Sequence, residues 1–342
     1  MMLTKKQSHY MKGIGILLIM VHNYVDHLMD INCNEMHYSQ EVSDIFLSNI
    51  FTSSFFWYIL SFAGWIGVPI FIFLSGYGLT KKYGTSRIEV PLYIRSHLIK
   101  LWKLLLPIYL LYVIISHCCF GQNYLIKGIL TVCTFTANFY GDNYLEPGVY
   151  WFFGVILQFY IIFLLLRKLS VRWLCALLVG FLVIHYVALY FMSEWSMVWV
   201  RHNFTGWGAS FILGIIAARK DIHLPKHYEW AISLLSFCFL WVCMTIKPLT
   251  PFAELTSIVF IISLGQKFTF KPFEFIGLIS ASIFVVHPLI RMIFYHTISL
   301  PHGQTSQPII MTLAYFLIVI LVSLGHHILL KSTSAHKRQK IN

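Results

Sequence analysis

Long apolar runs of close to 20 residues recur along almost the whole chain. A bilayer has a hydrocarbon core about 30 Å thick, which an α-helix crosses with roughly 20 apolar residues. Of the 342 residues, 58% are hydrophobic, 17% aromatic and only 11% charged, which ordinary soluble domains do not match. The runs are unbroken rather than alternating, and this excludes a transmembrane β-barrel. The sequence therefore predicts an all-α, polytopic membrane helix bundle.

The apolar runs predict about ten transmembrane helices. They lie near residues 13–30, 55–79, 98–117, 149–166, 172–192, 204–218, 228–246, 251–266, 275–297 and 308–330. The runs 204–218 and 251–266 are short, which fits helices that are tilted or packed inside the bundle. Residues 125–139 are apolar enough to enter the membrane but short and polar for a crossing. We expect them to form an interfacial or re-entrant segment.

Lysine and arginine are distributed asymmetrically between the predicted loops. With the N-terminus inside, ten spans place most of the 25 basic residues on the cytoplasmic side, where such residues concentrate in membrane proteins. The exceptions are Lys127, Arg201, Lys247 and Arg291. Both termini are therefore predicted to be cytoplasmic, within a single domain over residues 1–342 that ends in a basic tail, 331–342. The net charge of +12 is explained by loops near anionic head groups, with no nucleic-acid partner.

Ionisable residues lie inside the first predicted span, in the segment GILLIMVHNYVDH. His22 follows six apolar residues, and Asp26 shares its helix face four residues later. A carboxylate that accepts one ring N–H leaves the other ring nitrogen as a proton acceptor, as a general base requires. A histidine that only hydrogen-bonds a neighbouring helix explains the spacing equally well, so both roles stay open.

Basic residues precede the third predicted span, in the segment RSHLIKLWKLLLP. Lys100 and Lys103 are about one turn apart, Arg95 lies just before them, and Lys103 is deeper in the apolar run than a loop charge needs to be. Such a group is a candidate to hold an anion in a cavity, and side chains that extend to lipid head groups are the alternative. The seven cysteines form no paired CxxC motif, so no metal is expected.

Five segments resemble, in order and at comparable spacing, acyltransferase family 3, the integral-membrane acyltransferases. They are YMKGIGILLIMVHN, GVPIFIFLSGYGLTKKY, YIRSHLIKLWKLLLPIYLL, YWFFGVILQFYIIFLLL and SASIFVVHPLI. The most specific of them is GVPIFIFLSGYGLT, and together they cover most of the chain. The resemblance implies a multi-pass enzyme of the bacterial inner membrane that moves an acyl group, usually acetyl, from coenzyme A to a sugar hydroxyl of a surface or lipid-linked glycan.

The resemblance also implies roles for individual residues. It implies that His22 is catalytic and that Arg95, Lys100 and Lys103 handle acyl-CoA. Many members have arginine in place of Lys12, and many have a glutamate in the fourth-span block, where this chain has only apolar residues between Trp151 and Gln158. Asp26 is therefore the nearest carboxylate by sequence to assist His22, and this is an inference from the chain itself.

Acyl transfer also needs hydrogen-bond donors for the oxyanion that develops on the acyl carbon. The sequence nominates Asn23, Tyr24, Ser75 and Tyr77 as donors. Direct transfer and relay through an acyl-enzyme are both open at this point, and the oligomeric state is not indicated.

Other polar residues of the predicted spans and their ends favour structural roles. His185 is predicted to pack between helices, and His287 to bond near the following proline. Residues 201–203 are predicted to form a solvated outer loop, with contact to an acceptor glycan as the alternative. A multi-span exporter or flippase is the rival function, although such transporters commonly show two related halves, which this sequence does not.

Overall fold

The computed structural model describes residues 3–29, 38–84, 86–140, 147–220, 228–267, 270–297 and 309–339. Every regular element in those ranges is helical, which confirms the predicted all-α class. The α-helices are α1 Lys5–Met29, α2 Gln40–Ser48, α3 Phe55–Gly64, α4 Gly67–Tyr83, α5 Val90–Phe120, α6 Ile126–Cys133, α7 Trp151–Leu166, α8 Val171–Phe191, α9 Glu194–Arg201, α10 Phe204–Lys220, α11 Glu229–Thr245, α12 Thr250–Lys267, α13 Lys271–Leu278, α14 Ser280–Thr297 and α15 Ile309–Gln339. Short 3₁₀ helices lie at Ala137–Phe139, Gly148–Tyr150 and Lys247–Leu249.

Six stretches of the described residues are long and apolar enough to cross a membrane. They are Phe55–Tyr83, Val90–Phe120, Gly148–Leu166, Val171–Phe191, Lys247–Gly265 and Ile310–Thr333. Helices α13 and α14, bent by 76° at their junction, make a seventh if they are counted as one span. The chain is therefore a multi-pass membrane protein, whereas the count of ten and the cytoplasmic termini stay predictions.

The three other predicted spans are helical but less suited to crossing alone. Helices α10 and α11 have 17 residues each, or about 26 Å at 1.5 Å per residue, slightly less than the hydrocarbon core. Helix α1 has 25 residues, but it carries lysines near its start and a polar group of side chains near its end. All three pack against other helices of the bundle.

Helix α1 is at the centre of the bundle, in contact with α3, α4, α12, α13 and α14. Helix α10 is also interior, and nearly all of its side chains are buried. Helices α5, α8 and α15 instead expose many large apolar side chains, such as Val179, Val183 and Leu321. Such surfaces are stable against lipid tails rather than water. The buried polar residues of α1, His22 and Asn23, consequently face protein and not lipid.

The segment 125–139 enters the bundle without crossing it. Helix α6 has eight residues, or about 12 Å of length. The 3₁₀ turn that follows places Asn138, only 2% exposed, against α7. A Cβ on Gly154 would overlap the Asn138 amide, so glycine at 154 permits this approach. The segment contains no helix long enough to cross a membrane, and its interfacial or re-entrant character stays a prediction.

Most of the predicted C-terminal tail is helical. Helix α15 continues to Gln339, so the predicted basic tail 331–342 begins inside a helix, and its last three residues lie outside the described ranges. The assignment of residues 1–342 to one domain stays a prediction.

Candidate active site

His22 lies in the C-terminal half of α1 and is 8% exposed. Its Nδ1 is 3.1 Å from the carbonyl oxygen of Ser61 in α3. A carbonyl oxygen only accepts hydrogen bonds, so Nδ1 is assigned as the donor and Nε2 as the nitrogen that carries the lone pair. A backbone group thus fixes the tautomer that a general base requires.

Close packing of α1 against α3 positions this histidine. A Cβ added to Gly64 would overlap Cβ and Cα of His22 and the carbonyl oxygen of Leu18. Glycine at 64 is therefore needed for the two helix backbones to approach at the height of His22. The local sequence around Gly64, FAGWIG, does not indicate that this glycine contacts His22.

Arg291 of α14 reaches across to the same part of α1 and is 7% exposed. Its Nη1 donates to Oδ1 of Asn23 at 2.9 Å and lies 3.2 Å from Nδ1 of His27. Asn23 is itself 8% exposed, and its Nδ2 donates to the Ile19 carbonyl oxygen at 2.9 Å. A guanidinium is therefore held beside His22 by polar atoms from another helix.

Asp26 lies beside another histidine of α1. Its Oδ2 lies 3.1 Å from Nδ1 of His27, and the two side chains are 28% and 47% exposed respectively. The neighbouring helix α3 also supplies a backbone acceptor for the His22 ring, the Ser61 carbonyl oxygen. Assistance of His22 by Asp26 stays a prediction.

The side chains of His22, Asn23 and Arg291 line a cavity of about 240 Å³. Aromatic side chains form much of its wall, among them Trp65, Trp151, Phe152, Trp207 and Phe284. Polar side chains converge on it from several helices: His22, Asn23, Asp26, His27, Arg201, His202 and Arg291. An apolar wall with a few convergent polar groups is typical of a small-molecule site. We refer to it as the His22 cavity.

Residues 201–203 belong to this cavity or support it, so the prediction of a solvated loop is wrong. His202 is 3% exposed and stacks on Trp151 with ring centroids 5.2 Å apart, and Asn203 is 1% exposed. The reason is a set of amide hydrogen bonds that reach this turn from two other segments. Asn138 Nδ2 donates to the His202 carbonyl oxygen, and Gln158 Nε2 donates to Asn203 Oδ1, both at 2.8 Å.

A second cavity, of about 430 Å³, lies beside the N-terminal half of α1, the C-terminal half of α4 and the N-terminal half of α5. Lys12, Lys82, His97 and Lys100 line it, together with apolar and aromatic side chains. We refer to it as the basic cavity. Of the three residues nominated for acyl-CoA binding, Lys100 lines it, whereas Arg95 and Lys103 do not appear among its lining residues. Lys12 of α1 and Lys82 of α4 are the other two lysines that line it.

The two cavities meet at an aromatic partition. Phe152 and Phe284 line both of them, and their ring centroids are 5.0 Å apart. Phe152 also meets the ring of Phe71, which lines the basic cavity, at 6.5 Å. One layer of phenyl rings therefore separates a basic chamber from a chamber that holds an oriented histidine.

The nominated oxyanion donors are dispersed. Asn23 lines the His22 cavity, whereas Ser75 lines the basic cavity and donates to the Phe71 carbonyl oxygen. The Tyr24 hydroxyl pairs with Thr312, and the Tyr77 hydroxyl accepts from the backbone N–H of Leu3. Arg291 is the donor that sequence reasoning missed. The sequence does contain an indication of its role, because Arg291 lies inside the apolar run FVVHPLIRMIF, and a charged residue at such a position indicates function.

Two other span histidines have the structural environment expected of them. His287 is fully buried, and its Nδ1 lies 3.1 Å from the Ile283 carbonyl oxygen one turn earlier. His185 is 4% exposed in α8 and lines neither the His22 cavity nor the basic cavity. His185 therefore serves as a matched control for experiments on His22.

Comparison with known proteins identifies a family. A family model described as an acyltransferase domain, the one for acyltransferase family 3, matches residues 6–328, which is essentially the whole chain. Neither the curated proteins nor the solved structures contain a significant match. The matched residues include both cavities and the partition between them.

Proposed function

Because this chain belongs to acyltransferase family 3 and is a membrane acyltransferase, we propose that it transfers an acetyl group from acetyl-CoA to a sugar hydroxyl. The acceptor is a surface or lipid-linked glycan, and the enzyme acts in the inner membrane of a bacterium. The observation that carries this proposal is the pair of cavities that share Phe152 and Phe284.

The basic cavity suits the donor substrate. Coenzyme A carries several phosphate charges at one end and a thioester at the end of a long, narrow arm. Lys12, Lys82 and Lys100 converge on the cavity from three helices and supply positive point charges for phosphate groups. The positive-inside distribution of lysine and arginine supports a cytoplasmic location for this chamber.

The partition suits the thioester arm. Phe152 and Phe284 present aromatic surface to both cavities, so the uncharged arm passes along these rings while the phosphates stay with the lysines. The acetyl group then lies in the His22 cavity, where the acceptor hydroxyl arrives from the opposite side. The acetyl group and the acceptor hydroxyl thus reach the same cavity from opposite sides, which holds them in position for reaction.

The groups of the His22 cavity match the needs of acyl transfer. Nε2 of His22 accepts the proton of the sugar hydroxyl as its oxygen attacks the thioester carbonyl carbon. Arg291 and Asn23 lie beside the ring, and the guanidinium stabilises the negative charge on the carbonyl oxygen. Collapse of the intermediate breaks the carbon–sulfur bond, and the proton on His22 passes to the departing thiolate. The products are the acetyl ester and free coenzyme A.

The test uses purified full-length protein in lipid nanodiscs. Binding and consumption of radiolabelled acetyl-CoA are measured for the wild type, for His22→Gln and for the control His185→Gln. We expect all three proteins to bind acetyl-CoA, and only His22→Gln to lose turnover with a glycan extract of the host membrane. Absence of acetyl-CoA binding by the wild type would contradict the proposed donor.

A further inference from the structure

A third cavity, of about 440 Å³, lies at the other end of α5 from the basic cavity. Ser116 in its wall is 16 residues beyond Lys100, or about 24 Å along the helix. Residues of α5, α6, α14 and the connection after α5 surround it. The proposed function places this end of the bundle on the outer side of the membrane. We refer to this cavity as the outer cavity.

The lining of the outer cavity is polar and aromatic but nearly uncharged. Tyr109, Tyr112 and Tyr124 contribute phenol rings, and Gln122 and Asn123 contribute amides. Among its lining residues in the described part of the chain there is no lysine, arginine or carboxylate, and His296 is the one titratable group besides the tyrosines. This chemistry does not suit the phosphates of coenzyme A.

Tyrosines and amides together suit a neutral carbohydrate. Sugar rings present C–H faces that stack on aromatic rings, and their hydroxyls both donate and accept hydrogen bonds, as amide and phenol groups do. Tyr109 and Tyr112 are 2% and 6% exposed, so they form the back of the cavity wall. Tyr124 is half-buried, and its ring is the one with surface available for stacking. The hydroxyls of Ser116 and Tyr124, 2.7 Å apart, join α5 to the connection that follows it.

The outer cavity is next to the His22 cavity. Arg291 lines the His22 cavity, and the following residue of α14, Met292, lines the outer cavity. Tyr109 and Tyr150 meet edge to face, with centroids 5.8 Å apart, and Tyr150 is flanked by two residues of the His22 cavity. The two cavities are therefore neighbours, separated by α14 and by the Tyr109–Tyr150 contact.

We propose that the outer cavity is a binding subsite for a neutral saccharide unit of the acceptor, next to the unit that is acetylated. The proposal rests on the proposed function for the identity of the acceptor. Binding of the saccharide itself, however, is measured without any acyl transfer.

The probe is a panel of neutral trisaccharides built from glucose, galactose, mannose or N-acetylglucosamine. Saturation-transfer NMR detects their binding to full-length protein in nanodiscs. We expect the wild type to bind at least one of them, and the double variant Gln122→Ala/Asn123→Ala to bind it at least fivefold more weakly. Both side chains are exposed, so these substitutions spare the core. The control Ser53→Ala changes an exposed residue outside the lining and is expected to bind like the wild type.

Three results would overturn the subsite. They are the absence of binding by the wild type to every trisaccharide, equal binding by the double variant, and retention by the wild type of a phospholipid that the double variant loses in native mass spectrometry. His22→Gln separates this proposal from the proposed function, because it is expected to keep trisaccharide binding while it loses acetyl transfer. A wild type that binds trisaccharide but not acetyl-CoA would contradict the proposed function and leave the subsite standing.

Discussion

The His22 cavity and the basic cavity hold their polar groups in different ways. In the first, His22, Asn23 and Arg291 are each less than 9% exposed, and partners on other helices orient His22 and Arg291. In the second, Lys82 and Lys100 are exposed at the edge, and each contributes a flexible point charge. Bond-making requires fixed geometry, whereas phosphate binding tolerates mobility. Single substitutions should therefore have steep effects in one cavity and graded effects in the other.

The largest effect is expected from the general base. We expect His22→Gln to lower kcat by at least about 100-fold, because general-base catalysis contributes roughly 10²–10⁴ in rate. The KM for acetyl-CoA should change little, since the phosphates bind in the other cavity. The measurement is acetyl-CoA turnover in nanodiscs. His185→Gln, which alters an equally buried histidine outside both cavities, is expected to keep the wild-type rate.

The next effect is expected from the charge that faces the developing oxyanion. Arg291→Gln should lower kcat by about 100-fold, in the range seen when one oxyanion donor is removed. A kcat within threefold of the wild type, with Asn23 and His27 unchanged, would mean that the guanidinium only supports α1. Thermal unfolding of the same sample distinguishes lost catalysis from lost folding.

Close approach of two helices should also be required for activity. Gly64→Ala places a methyl group where His22 lies, and overpacking of this kind costs about 1–3 kcal/mol of unfolding free energy. We expect a lower melting temperature together with a loss of turnover. Gly180→Ala is the matched control, because nothing lies within 4 Å of the added Cβ in α8. Equal melting temperatures for the two variants would contradict the assigned contact.

The smallest effects are expected in the basic cavity. Lys82→Ala and Lys100→Ala should each raise the KM for acetyl-CoA several-fold with kcat preserved, and the double variant should combine the two effects. Salt should raise the wild-type KM as well, because it screens exposed charges. Lys168→Ala removes an exposed lysine that does not line the cavity and should leave KM unchanged. A lost kcat in the single variants would break the contrast between the cavities.

Local patterns in the sequence were enough to predict the class of fold and the first member of the site. Unbroken apolar runs predict membrane helices, so the helical bundle was predictable. A histidine inside such a run is energetically costly and therefore indicates a functional site, which is why His22 was a candidate from the sequence.

Partners that are distant in the chain were not predictable. The Ser61 carbonyl oxygen lies 39 residues from His22, and Arg291 lies 268 residues from Asn23, so no local spacing connects them. Residues 201–203 were misassigned for the same reason, because the amides that bury them come from α7 and from the segment after α6. Only the packing of helices brings these groups together.

The most direct test of the account is proton NMR of O-acetyl groups on surface glycans of the cells that carry this protein. Cells with the wild type, a deletion, His22→Gln or His185→Gln are compared at equal expression. We predict O-acetyl signals with the wild type and His185→Gln, and their loss with the deletion and His22→Gln. Full acetylation with His22→Gln, or unchanged glycans in the deletion, would contradict acyl transfer through the His22 cavity.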